Sequence, residues 1–220
     1  MNSESAAPLD TLLEGIRRFR RDVYTPNRER YEAAMKKPQT PHTLVITCAD
    51  SRIDPEALTQ SGPGDIFVTR NIGNMVPAYG EMLGGVSAVI EYAVQALGVS
   101  QVVICGHTDC GAMKALLHPE AVSTMPTVKS WLRNGEAALS VVKSRPTPGT
   151  EPGELYQLIE ENVLLQMQHL RTHPSVAGKI ASGDLQIYGW VYDIGNGHVN
   201  MYDPATNKFT AVEHQTVAQP

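Results

Sequence analysis

Basic side chains are the scarcer kind of charge here: 18 Lys and Arg stand against 23 Asp and Glu, a formal net charge of -5. No cationic excess is on hand to neutralise phosphates, which argues against nucleic acid as a partner. Long hydrophobic runs are missing too. No apolar stretch comes near the roughly 20 residues that span a bilayer, so no membrane partner is expected. Residues 1–10 lack the basic-then-apolar pattern of a secretory leader. Cysteine is rare, and an odd count of 3 gives no disulfide framework. A reducing cytoplasm is the expected setting, where clustered Cys and His bind metal. Internal repeats and low-complexity segments are absent. What remains, 42% hydrophobic and 19% charged residues over 220 positions, is a globular composition for one domain with an extension.

The pattern along the chain predicts an N-terminal helical arm over 1–40, one α/β domain over 41–214 and a tail at 215–220, with residues 1–7 frayed. From Pro8 a helical stripe runs through Leu12, Ile16, Phe19 and Val23, and it needs a surface to cover, in its own domain or on a second subunit. The opposite face carries Arg17, Arg18, Arg20 and Arg21, which read more simply as a solvated face than as an anion site. Asn27 is placed to cap a second helix reaching Lys37, and Pro38 to Pro41 break the chain. Strands are predicted at 43–47, 66–69, 101–105 and 185–192, with an edge strand at 198–202 after a Gly195-Asn196-Gly197 turn. Helices are predicted from Asp54-Pro55, over 81–97 with Leu83 on the inward stripe, from Ala112, over 127–143, over 154–173 and from Pro174; 144–153 reads as a surface loop. This alternation implies an α/β fold: a central, mostly parallel four-stranded sheet with an antiparallel edge strand, flanked by helices.

Chemistry concentrates at two strand ends. Cys48-Ala49-Asp50-Ser51-Arg52 follows the first strand, and read as extended backbone its alternate residues send a thiol, a carboxylate and a guanidinium to one side. Gly106-His107-Thr108-Asp109-Cys110-Gly111 follows the third. Ligands of open parallel sheets sit outside the carboxyl ends of strands, so adjacency of these two strands makes Cys48, His107 and Cys110 converge. Three N/S ligands with a fourth position open are the count of a catalytic zinc. A lone strand-end Cys is ordinarily a small buried hydrophobe, and Cys105 is assigned to that class. The combination with Asp50 and Arg52 lifts Cys48 out of it.

These motifs resemble those of the β-class carbonic anhydrases. The likeness extends from about Gln39 to Asp203 and includes the stretches Phe67 to Asn74 and Gly189-Trp190-Val191-Tyr192-Asp193. The resemblance implies Zn2+ on Cys48, His107 and Cys110, carbon dioxide and bicarbonate as substrates, and attack by a zinc-bound hydroxide. It implies a homodimer or tetramer of dimers whose N-terminal helices embrace the partner. Asp50 is expected to accept a hydrogen bond from the hydroxide while Arg52 holds it bidentately; a plain structural salt bridge is the alternative. Released from Arg52, Asp50 becomes a conditional fourth zinc ligand in a closed, less active state at low pH. Phe67, Ile72 and Tyr92 are expected to line the carbon dioxide pocket, though each also fits plain core. Gln39 is expected to donate to substrate from the partner subunit, and the Gly111 N–H to hold a bicarbonate oxygen. Val45 stands where some bacterial members carry a tryptophan of a non-catalytic bicarbonate site, so that site is expected to be missing. His42 is a proton-shuttle candidate by proximity only. A changed substrate such as carbon disulfide, or a non-catalytic zinc protein, are the competing readings. A zinc deaminase lacks its His-x-Glu.

Overall fold

The computed structural model describes residues 7–81, 83–145 and 153–212. All but Ala7 of the expected frayed start, most of the 144–153 loop and the 215–220 tail therefore lie outside the described residues. The chain divides into two compact units, one ending at Gln39 and the other beginning at Thr40.

In the first unit, α1 (Pro8–Arg18) opens on a proline, whose fixed φ suits a first helical turn. It runs on through a π-helical turn, Phe19–Tyr24, and α2 (Arg28–Met35) follows. Asn27 does not cap α2 as expected; its side chain donates back to the Val23 carbonyl at 2.8 Å. Phe19, Tyr24 and Tyr31 pack as a ring cluster. No described residue of these helices is buried, and the Leu12–Val23 stripe is open in this chain.

In the second unit come β1 (Thr43–Cys48), α3 (Pro55–Thr59), β2 (Ile66–Asn71), α4 (Gly85–Glu91), β3 (Gln101–His107) and α5 (Gly111–Leu117). Then follow α6 (Pro126–Leu132), α7 (Glu136–Ser144), α8 (Glu154–Arg171), α9 (Pro174–Ala181), β4 (Gln186–Tyr192), β5 (Val199–Asp203) and β6 (Lys208–Ala211). The sheet order is β2-β1-β3-β4-β5-β6. The first four strands are parallel; β5 and β6 add antiparallel to the edge. This is the α/β fold expected, with a second antiparallel strand, β6, that the sequence reading did not place.

Local chemistry explains the elements. β1 is Thr-Leu-Val-Ile-Thr-Cys, β-branched and buried along its whole length between β2 and β3. On one face Leu44 and Ile46 join Val102, Ile104 and the apolar sides of α4, α8 and α9; on the other Val45 meets Val103 and Cys105. Burial pushes the Cys105 thiol up to about 12, so it behaves as the inert hydrophobe expected. Asp54 caps α3, accepting the Ala57 N–H at 3.1 Å, and Pro55 takes the first position. The helix expected over 81–97 begins only at Gly85, leaving Leu83 outside it and exposed, and its last stretch, Tyr92–Leu97, is π-helical. The single helix expected over 127–143 is two, parted by a tight turn at Arg133–Gly135. Both His107 and Cys48 are the last residues of their strands rather than loop residues.

Candidate metal centre

β1 is the point where the strand order reverses: its chain passes to β2 on one side, and β3 lies on the other. Thr47 pairs with Cys105, so the ends of β1 and β3 open onto the same crevice. Cys48 closes β1, His107 closes β3, and Cys110 is the residue just before α5. Their two sulfurs and one imidazole nitrogen all lie within 4.8 Å of one another, and all three residues are buried.

The donor set fits a metal. His107 Nδ1 lies 2.8 Å from the Thr108 carbonyl, which can only accept, so Nδ1 carries the proton and Nε2 holds a bare lone pair. That Nε2 is buried with no hydrogen-bond partner among the described residues. An orphaned buried nitrogen of this kind costs free energy unless an ion takes the lone pair. The two thiols share one proton between them. The Cys110 sulfhydryl beside it holds the Cys48 thiol well below its usual range, and the resulting thiolate pushes the Cys110 thiol up. A divalent cation can replace that shared proton by stabilising both thiolates. Tetrahedral zinc sets such ligand atoms roughly 3.5–3.8 Å apart, within the observed limit.

Beside the ligands the chain does not continue in the extended form expected of it. It turns: the Ile53 N–H donates to the Asp50 carbonyl at 3.1 Å and the Arg52 N–H to Asp50 Oδ1 at 3.0 Å. The turn, not strand alternation, brings the two side chains together. Arg52 then grips Asp50 with both arms, Nε to Oδ1 at 2.9 Å and Nη2 to Oδ2 at 2.7 Å. This bidentate bond holds the Asp50 carboxyl far below the ordinary carboxylate range. Asp50 Oδ2 sits 4.0 Å from His107 Nε2, so an ionised carboxylate faces the ligand atoms.

Three contributors escaped the sequence reading. Arg52 Nη1 also donates to Asp109 Oδ2 at 2.9 Å, and Asp109 in turn pairs with Lys114. Asp109 adopts a left-handed backbone, φ 61°, which an Asp tolerates better than most residues. Arg70 reaches back from β2, donating to the carbonyls of Cys48 at 3.1 Å and Asp50 at 2.6 Å. Only a fold that pairs β2 with β1 reveals that contact.

Comparison with known proteins agrees with this geometry. The carbonic anhydrase family profile matches residues 43–199. The carbonic anhydrase of Pseudomonas aeruginosa is 44% identical over 207 residues, covering 94% of this chain and 93% of the relative. The chain belongs to the β-class carbonic anhydrase family. The structure of the β-carbonic anhydrase CcaA superposes with a TM-score of 0.87 at 38% identity, covering 92% of this chain and 91% of that one. A tetrameric β-carbonic anhydrase of Sordaria macrospora gives 0.76 at 26% identity, covering 88% and 95%.

Within this β-class carbonic anhydrase the other expected residues fall in different places. Gly111 opens α5 next to Cys110 and is exposed. Ile72 is half-exposed in the short turn after β2. Phe67 pairs with Leu44, four residues before Cys48, which sets it roughly 13 Å of strand from the metal end. Tyr92 packs against it, ring centroids 6.1 Å apart, with half its surface exposed, so it is not plain core. Gln39 is exposed and ends the first unit. His42 precedes β1 and so lies a full strand length from Cys48, roughly 16–20 Å, which removes the basis for a shuttle role there.

Proposed function

We propose that Cys48, His107 and Cys110 hold zinc and that the chain hydrates carbon dioxide reversibly to bicarbonate and a proton. The observation that carries the zinc reading is the triad itself: two sulfurs and an unpartnered imidazole Nε2 within 4.8 Å. When bound, zinc supplies the Lewis acidity that lets water give up a proton near neutral pH. The protein's own groups do the rest. Asp50, kept ionised by Arg52, would accept a hydrogen bond from a water held beside the ligands and so orient it toward the substrate. The Gly111 N–H, at the first position of α5, is placed to donate to a bicarbonate oxygen. Ile72 supplies apolar wall. Phe67 stands too far along β2 to line the pocket of its own chain, and Tyr92 packs on it; both serve the partner's site, as does Gln39. On this reading the assembly is at least a dimer, and its compartment is the cytoplasm. Release of Arg52 frees Asp50 to close the site. Among the described residues no helix is long and apolar enough to cross a membrane.

A stopped-flow hydration assay with a zinc determination on the same sample tests the proposal. One zinc per chain with hydration that disappears on chelation is expected. A folded, metal-free chain of undiminished activity would overturn the zinc reading, and a zinc-loaded but inert chain would leave a non-catalytic zinc protein.

A further inference from the structure

The Cys48 sulfur receives a hydrogen bond that none of the site residues named so far supplies. The Gly73 N–H donates to Cys48 Sγ at 3.4 Å, within the reach of an N–H···S contact. That N–H belongs to the peptide joining Ile72 to Gly73, and the carbonyl of the same peptide accepts the Trp131 indole N–H at 2.8 Å. Indole, peptide and sulfur are thus in series: N–H to O=C, then N–H to S. A donor on the carbonyl withdraws charge through the amide and makes its N–H a better donor, strengthening each bond by roughly 10–30%.

Gly73 has little freedom to move. Its φ is 78°, and a Cβ added there would lie 2.8 Å from Ala112 Cβ, two residues beyond Cys110. Only glycine brings this backbone between the two thiol-bearing segments. On the far side Asn162, 1% exposed on α8, donates to the Gly73 carbonyl at 3.1 Å. Asn162 is itself fixed by Gln166, whose Nε2 donates to its Oδ1 at 2.9 Å. Gln166 Oε1 accepts the Val76 N–H at 2.8 Å, three residues beyond Gly73. Buried Asn and Gln on an otherwise apolar helix face are expensive unless satisfied, and here every bond runs to the 73–76 segment, to Asn134 or between the two.

We propose that Trp131 and Asn162 are positioning residues for the metal: Trp131 polarises the Ile72–Gly73 peptide toward the Cys48 sulfur, and Asn162 locks Gly73 in the orientation that delivers its N–H. This rests on the reading of Cys48 as a metal ligand. Donation to a ligating thiolate draws charge off the sulfur, so it leaves the metal more electron-poor and the thiolate harder to protonate away.

The test loads the full chain with NMR-active cadmium and reads the Gly73 amide. A scalar coupling between that amide proton and the metal, carried through the N–H···S bond, is expected, with the proton well downfield. Trp131→Phe keeps the ring and removes the N–H. It is expected to move the Gly73 proton upfield and to weaken zinc binding in chelator competition by about tenfold, the lower edge for outer partners of metal ligands. Asn162→Leu is expected to do the same. His169→Leu, which loses only a bond to the Val76 carbonyl, is the control for loosening this segment and should leave the Gly73 signal in place. Cadmium bound through two sulfurs, with Gly73 uncoupled in the unmodified chain or unmoved in Trp131→Phe, overturns the inference alone. Failure to bind cadmium through sulfur overturns both it and the metal reading.

Discussion

At Arg52 one guanidinium answers to two carboxylates, and the geometry ranks them. Asp50 takes two short, parallel bonds and is mostly buried; Asp109 takes one Nη1 bond at the open rim. Bidentate bonds need the planar fork, which lysine lacks. Asp50→Asn is therefore expected to keep zinc and lose hydration by roughly 10²-fold, the scale for removing one group that orients a reacting atom. Arg52→Lys should keep only part of the activity. Zinc content and stopped-flow rates on both variants check this. A second residue-scale prediction concerns Glu160, half-buried on α8. Burial raises its carboxyl from 4.5 to about 7, with Arg145 opposing and Glu161 adding to the shift. An acid with a raised folded value binds its proton more tightly in the folded chain, so the contribution of this carboxyl to stability is most favourable below about 4.5 and is lost as pH rises through about 7. Glu160→Gln removes that decline. The variant should be more stable than the parent at pH 8 by up to about 1 kcal/mol once solvent screening is allowed for, with the gain vanishing toward pH 4. Urea melts at the two pH values measure it. Cys48-Asp50-Arg52 and His107-Cys110 were legible because each group lies within a few residues in sequence, and their convergence because each follows a strand of an alternating α/β pattern. Arg70, Asp109 and Asn162 were not, because their partners are set by strand pairing and helix packing.

Among the elements, α8 on β3 and β4 governs how closely the helical layer approaches the metal end of the sheet. A Cβ added at Gly189 would meet Met167 Sδ at 2.6 Å and Val163 Cγ1 at 2.8 Å; one added at Gly106, next to His107, would meet Val163 Cγ2 at 2.8 Å. The methionine can move aside, but the valine is stiff at χ1. Gly189→Ala is expected to cost about 1–3 kcal/mol of stability through overpacking. Combined with Val163→Ala it should recover part of that loss, so the pair is non-additive in a double-mutant cycle. Purely additive losses in thermal unfolding would show that the approach of α8 is not what these glycines serve. The sequence exposed α8 through its Leu155, Leu158, Ile159, Val163, Met167 and Leu170 stripe; the last five are buried, and Leu155, in the first turn, is partly buried against the core. It hid β6, since Lys208-Phe209-Thr210-Ala211 is too short to show an alternation. It also hid the true start of α4: Leu83 fits the helical period, but Gly84 and Gly85 end the pattern's claim on the backbone.

For the whole molecule the unanswered surface is the first unit. Leu12 and Ile16 keep 66% and 63% of their surface exposed, and Leu9, Phe19 and Val23 extend the same stripe. An amphipathic helix with its apolar side open is incomplete, and an exposed stripe of this size marks an interaction surface. We propose that a second copy of the chain covers it. The placement of Phe67 and Tyr92, away from Cys48 of their own chain, gives that contact a catalytic consequence, because the pocket of each site then needs the other copy. Leu12→Asp combined with Ile16→Asp puts two charges into the covered face and is expected to yield monomers in sedimentation velocity. Those monomers should retain zinc, since Cys48, His107 and Cys110 all come from one chain. They should nevertheless lose most hydration, and raising the concentration should restore activity in step with reassociation. Monomers that turn over at the parent rate would show that each chain builds its whole pocket alone, and the first unit would then need another partner.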